Sequence, residues 1–182
     1  MAIPAPRVWT DGEDAANLPT ADDLNLDIRD SLDFLLGYSR PIIYLESNVS
    51  QTGLVANTIY DQNWQVENLK RGGMLHSANS HQITVPYAGQ YDGFAVQSLT
   101  TLSAPGTTAL TAFIVVNGST TVARWDMVSG TPSDMQNHGS FTANLAANDI
   151  ITFRIRNSSG TAVTATDPLN RPRIALWYGG NF

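Results

Sequence analysis

The sequence predicts a mainly β protein, an antiparallel β-sandwich or jelly roll preceded by an extended arm and one amphipathic α-helix. Three observations predict it. From Pro41 onward, short runs of alternating apolar and polar residues recur at intervals of about ten residues, with no helix-length segment between them. Charged residues are only 14% of the chain and apolar residues 42%, while Gly, Ser, Thr and Asn are abundant, a balance that favours strands and turns. Before Pro41 a single stretch repeats every three to four residues instead.

The arm comes first. Pro4, Pro6 and Pro19 deny residues 1–19 a long helix, so this segment reads as extended, and Trp9 within it needs a surface to lie on. The stretch TADDLNLDIRDSLDFLLG, residues 20–37, then carries consistent helix signals. Thr20 and Asp23 make a capping-box-like start, Asp22 and Asp23 suit the positive end of the helix dipole, and Gly37 supplies the stop. Leu24, Ile28, Leu32 and Leu35 fall on one narrow stripe, with Asn25, Asp27, Arg29, Asp30 and Asp33 on the other faces. Such a helix of about four or five turns is marginal alone in water, so the stripe predicts a seam with other helices or with another surface.

From Pro41 the period is two. PIIYLES is the first strand. Residues 47–80 give weak signals, with Gly53, Gly72 and Gly73 marking turns and NTIYDQNWQVEN offering short strands. HQITVPYAGQYDGFAVQSL puts Ile83, Val85 and Tyr87 on one face, turns at AGQ, and resumes with Phe94 and Val96. TAFIVVNGSTTVARW is a strand, an Asn117-Gly118 hairpin turn and a returning strand. GSFTANLAANDIITFRIRN holds the clearest alternation: Phe141, Ala143 and Leu145, a turn at AAND, then Ile151, Phe153 and Ile155 against Thr152, Arg154 and Arg156. RPRIALWYGG closes the series. The expected total is seven to ten strands, giving an arm over residues 1–40 and a β-domain over 41–182.

Charge and composition exclude several classes. Residues 1–46 hold nine acids against three arginines, and the remainder holds seven of each sign, so the whole net charge of −6 lies in residues 1–46, the arm together with the first strand. This concentration of the net charge argues against nucleic-acid binding and leaves a basic protein partner or plain solvation for the acidic helix. There is no cysteine, so no disulfide or thiolate site exists. The start lacks the basic and apolar regions of a signal peptide and no run is long enough to span a bilayer, which predicts a soluble product made inside a cell, without membrane insertion.

Candidate chemistry is sparse. His76, His81 and His138 lack the spacing of a metal site, and Asp126, Asp134, Asp92 and Asp149 form no EF-hand pattern. There is no G-x-S-x-G elbow, P-loop or dinucleotide fingerprint. We therefore expect no enzyme activity, no cofactor and no metal. Arg154 and Arg156, on one face of one strand, suit an anionic glycan, a neighbouring subunit's acids or plain solvation. Trp125 and Trp177, with Tyr178, suit either sugar stacking or burial in the sandwich or a subunit interface.

Two resemblances bear on function. Val85-Pro86-Tyr87-Ala88-Gly89-Gln90-Tyr91 with Phe94, FIVVNG at 113–118, TANLAANDIITF at 142–153 and the closing RIALWYGG together resemble the C1q/TNF-like jelly roll, over roughly residues 42–180. Asn148 stands where that family tends to have Gly, and Asn tolerates the same turn. The resemblance implies a homotrimer. Separately, PAPRVWTDGE…LPTADDLNLDIRDSLDFLLG is similar to the leader of tailed-phage virion proteins, at Trp9, Gly12, Glu13, Thr20, Ala21, Leu24, Asn25, Ile28, Arg29 and Asp30, with AANLP altering the spacing near Leu18. This implies a virion structural protein, made in the host cytoplasm and displayed on the particle exterior. In that reading Trp9, Leu24, Ile28, Leu32 and Leu35 gather the chains or attach them to the major capsid or another virion protein. Placement as a capsid decoration or head fibre, as a tail-fibre or base-plate module recognising a host surface glycan, or as a free bacterial C1q-like binding module are the alternatives.

Overall fold

The computed structural model describes residues 28, 29, 32, 40–49, 51–55, 57–99, 108–129, 135–158, 163–165 and 171–180. The chain divides into two compact units, Met1–Arg40 and Pro41–Phe182. In the first, Ile28, Arg29 and Leu32 are helical, with Ile28 and Leu32 exposed; Trp9, Leu24, Leu35 and the rest of the leader lie outside the described residues.

The second unit is built from β1 (Ile42–Glu46), β2 (Gln51–Leu54), β3 (Ile59–Asp61), β4 (Val66–Arg71), β5 (Gln82–Thr84), β6 (Gly89–Leu99), β7 (Thr108–Val116), β8 (Thr120–Ser129), β9 (Met135–Leu145), β10 (Ile150–Asn157), β11 (Val163–Ala165) and β12 (Arg173–Gly180). These twelve strands among the described residues exceed the seven to ten expected. The surplus is β2 and β11, of four and three residues, too short to show a period, while β3 and β5 lie in stretches where strands are expected. Sheet I runs β4-β1-β12-β6-β9 and sheet II runs β3-β10-β7-β8 with β5 also on β10, while β2 and β11 form a small ribbon. Among the described residues every pairing is antiparallel.

Alternation decides what each strand buries. On β10, Ile151, Phe153 and Ile155 are buried, Arg154 and Arg156 face outward, and Thr152 is covered between Gln82 and Val115. Phe141, Ala143 and Leu145 of β9 are buried on the inner face of sheet I. On β6 the inner face carries Tyr91, Ala95 and Gln97. Phe94 and Val96, which look like core residues in the sequence, occupy the opposite face. Tyr91 packs edge-on against Tyr178 with ring centroids 5.3 Å apart and donates its hydroxyl to the Tyr87 carbonyl at 3.1 Å. Burial pushes the Tyr91 phenol pKa up to about 12. The weakly patterned stretch before β5 supplies the largest fully buried side chain among the described residues: Trp64 is held by a bridge to Ser80 and packed on Phe153 at 5.9 Å.

Two glycines are fixed by close approach. Gly89 has φ 148°, and a Cβ there would sit 2.6 Å from the Tyr178 ring and 2.7 Å from the Gly180 carbonyl oxygen. Gly139 on β9 lies under the Trp125 indole of β8, and a Cβ would fall inside that ring.

Three motifs far apart in the chain meet at one end of the sandwich. Val85 donates its N–H to the Asp149 carbonyl at 3.0 Å and accepts from Asn148 N–H at 2.8 Å. The Asn117 side chain donates to the Asp149 carboxylate at 2.8 Å and accepts from Ile150 N–H at 2.9 Å. Asp149 also caps its own turn by accepting from Ala146 N–H at 2.8 Å. Asn117 and Asn148 take the positive φ that their turns demand, 50° and 69°.

Candidate functional site: the outer face of sheet I

A sandwich buries one face of each sheet and wets the other. Sheet I departs from this rule. Its register aligns Ile42, Trp177 and Asp92 in one row, Leu69, Tyr44, Ala175 and Phe94 in the next, and Glu46, Arg173 and Val96 in a third. All project away from the core, because their chain neighbours Ile43, Leu45, Ile174, Leu176, Tyr178 and Tyr91 fill it. The centre of this outer face is therefore apolar and aromatic. Trp177 and Phe94 lie with ring centroids 6.4 Å apart and are 38% and 37% exposed, although each is among the largest apolar side chains of the domain.

The edge of the patch is polar, and its groups are mutually engaged. Tyr44 donates to Glu46 at 2.7 Å, and Arg171 approaches the same carboxylate at 3.9 Å. The Tyr44 hydroxyl, together with Asn68, Arg173 and Arg171, holds the Glu46 carboxyl below the ordinary glutamate range despite its partial burial. Burial, with the Glu46 charge beside it, raises the Tyr44 phenol. On the other side Asp92 accepts from Thr142 at 2.6 Å and from Gln90 at 3.2 Å. An apolar centre ringed by satisfied polar groups is the anatomy of a protein interface.

The four predicted contact residues are dispersed. Trp177 is at the centre of this face. Trp125 points inward at the edge of sheet II, half-buried over Gly139, where it joins the edge strands of the two sheets. Arg154 and Arg156 share the outer face of sheet II. Arg154 is engaged within the chain, with Nε 2.7 Å from Asp61 and Nη1 donating to the Gly118 carbonyl at 2.9 Å, whereas Arg156 is exposed. Phe113, under the Arg124 guanidinium at 5.9 Å, lies on the same face. His76 stands beside Glu67 and His81 beside Asp61, while His138 is exposed on β9; among the described residues no three His, Asp or Glu side chains form a metal-holding group. Among them, too, no helix is long and apolar enough to cross a membrane.

Sequence reasoning missed Phe94, Ile42, Tyr44, Leu69, Val96 and Ala175. One signal was available: IIYL in β1 and IALWY in β12 are apolar on both alternating faces, the mark of strands covered on both sides.

No protein-family model matches the chain, and no curated protein matches it. Solved structures do. A crystal structure of murine APRIL at pH 5.0 superposes with TM-score 0.58 at 17% identity, covering 76% of this chain and 98% of that one. The globular domain of zebrafish complement 1qA protein superposes with TM-score 0.55 at 9% identity, covering 78% of this chain and 99% of that one. The β-domain is thus a C1q/TNF-like jelly roll.

Proposed function

We propose that this chain is a non-enzymatic structural protein of a tailed-phage virion, a homotrimeric exterior module whose residues 1–40 attach or gather the chains and whose jelly roll is displayed. Of the possible placements we favour a capsid decoration or head-fibre protein. The observation that carries self-association is the Trp177–Phe94 pair, apolar and partly exposed on the outer face of sheet I. Support for the virion setting comes from the leader, in which the exposed helical residues Ile28 and Leu32 present part of the expected stripe.

Sedimentation velocity tests the assembly. The full chain should sediment as a trimer, and Trp177→Ser with Phe94→Ser should shift it to monomer while the circular dichroism of the fold persists. A wild-type chain that stays monomeric up to high concentration removes this reading. Copy number on purified particles tests the placement: hundreds of copies fit a shell protein and a few fit a tail part. A chain lacking residues 1–40 should still trimerise but fail to join particles; its incorporation would show that the arm is not the anchor.

A second reading rests on the same aromatic pair. Trp177 beside Phe94 also suits stacking against sugar rings, as a tail module or a free binding module would require. A glycan array that responds to the wild type and loses its signal in Trp177→Ala would favour it.

A further inference from the structure

The hairpin turn after β7 contains an Asn-Gly pair, Asn117-Gly118, and both residues are exposed. Such pairs can lose ammonia without an enzyme. The Gly118 amide nitrogen attacks Asn117 Cγ, the new N–C bond closes a succinimide ring, and the Cγ–Nδ2 bond breaks. Nδ2 leaves as ammonia, carrying the proton given up by the amide. Water then opens the ring at either carbonyl, giving Asp or isoAsp. Glycine permits the attack because it has no side chain to shield its nitrogen, and here nothing lies within 4 Å of where a Gly118 Cβ would be.

The surrounding turns restrain that reaction. Asn117 Oδ1 accepts from Ile150 N–H at 2.9 Å, and Nδ2, the leaving group, donates to Asp149 Oδ1 at 2.8 Å. The Asn117 main-chain N–H is tied to the Ile150 carbonyl at 2.8 Å. Both ends of the carboxamide are therefore engaged by the β9–β10 turn, and the attack requires it to rotate away from them. We propose that Asn117 is a latent deamidation site, held unreactive by Asp149 and Ile150, whose conversion to a carboxylate unfastens the two turns it joins.

The second half of the proposal follows from charge. Deamidation replaces an N–H donor facing the Asp149 carboxylate by an oxygen anion at hydrogen-bond distance. Asp149 cannot move aside freely, since its Oδ2 holds Ala146 N–H at 2.8 Å. Arg154, which reaches this turn by donating to Gly118 O at 2.9 Å, is already engaged by Asp61 at 2.7 Å.

Peptide mass spectrometry of the full chain, incubated near neutral pH, reads Asp and isoAsp at position 117. The folded wild type should deamidate at least roughly ten-fold more slowly than the same chain in denaturant, and folded Asp149→Ala should recover much of the denatured rate. Asn117→Asp, a mimic of one product, should melt below the wild type, and adding Asp149→Asn, which restores a donor between the two side chains, should bring the midpoint back up. A folded wild type that deamidates at the denatured rate overturns the restraint, as does a folded Asp149→Ala that reacts no faster than wild type. Should Asp149→Ala fail to fold, the folded-against-denatured comparison decides alone. An Asn117→Asp chain that melts with the wild type overturns the unfastening.

Discussion

Replacing Gly139 by Ala tests the packing that joins β8 of sheet II to β9 of sheet I. The added methyl falls inside the Trp125 indole, close to Nε1, Cε2 and Cδ1, so either the ring leaves or the strand backs away. If the half-buried ring swings out, roughly 100 Å² of apolar surface returns to water, which at about 25 cal/mol per Å² costs about 2.5 kcal/mol. Retreat of the strand falls in the range of overpacking, about 1–3 kcal/mol. Alanine is otherwise better than glycine within a strand by about 0.5–1 kcal/mol. The net loss should be about 2 kcal/mol, or roughly 5 °C in Tm for a domain of this size. On a Trp125→Ala background the obstacle is gone, and the same methyl should be neutral or stabilising by about 0.5–1 kcal/mol. The two substitutions should therefore couple by about 2–3 kcal/mol in a double-mutant cycle. Urea unfolding followed by circular dichroism measures this, at one protein concentration throughout, because the proposed self-association would make apparent stability depend on concentration. Additive effects would refute the argument, since they would show that Gly139 and Trp125 do not compete for the same space.

Further expectations follow from other contacts. The depressed Glu46 carboxyl contributes stability that is present above its unfolded pKa and lost as pH falls through its folded one; Tyr44→Phe, which removes the largest cause, should flatten that acid-side loss in urea midpoints measured against pH, and parallel profiles would contradict it. Asp61→Ala should cost about 1 kcal/mol, because its pair with Arg154 at 2.7 Å is partly exposed; no change in urea midpoint would mean the pair is fully screened. Gly89→Ala should prevent folding or lower Tm by more than Gly139→Ala does, since it adds positive-φ strain to contacts with the Tyr178 ring and the Gly180 backbone; a near-native Tm would show that this corner yields.

Much of the β-domain was legible because its alternation is local. The buried and outward residues of β10, the Asn117-Gly118 turn and the Asp149 turn stand where the pattern puts them, Thr152 apart. The outer face of sheet I was not legible in the same way. Alternation assigns residues to two faces without saying which is the core, and in β1 and β12 both faces are apolar, so the choice rests on register with β6 and β9. Phe94 and Val96 illustrate the difficulty: they are larger than Gly93 and Ala95, yet the smaller residues face the core, where Phe141 needs the room beside Gly93. Trp64 was obscure for another reason. It sits in an irregular segment with no period, and its burial comes from Phe153, far away in the chain. The same holds for Arg154, whose partner Asp61 belongs to a three-residue strand.

The residues that carry the jelly-roll resemblance are also the ones least free to bind anything else. Val85 spends its backbone on Asn148 and Asp149, Gly89 leaves room for Tyr178, and Asn117 spends its side chain on Asp149 and Ile150. Each closes a turn or a corner, so together they fix how the two sheets are connected. The likeness to solved structures at 9–17% identity is one of architecture, and architecture does not carry function. The recurring motifs therefore speak for the fold, and the functional argument has to rest on outward residues such as Trp177 and Phe94. Substitutions at the two kinds of position should then fail differently: those at Gly89 through loss of the monomer's fold, those at Trp177 through loss of association by a monomer that remains folded.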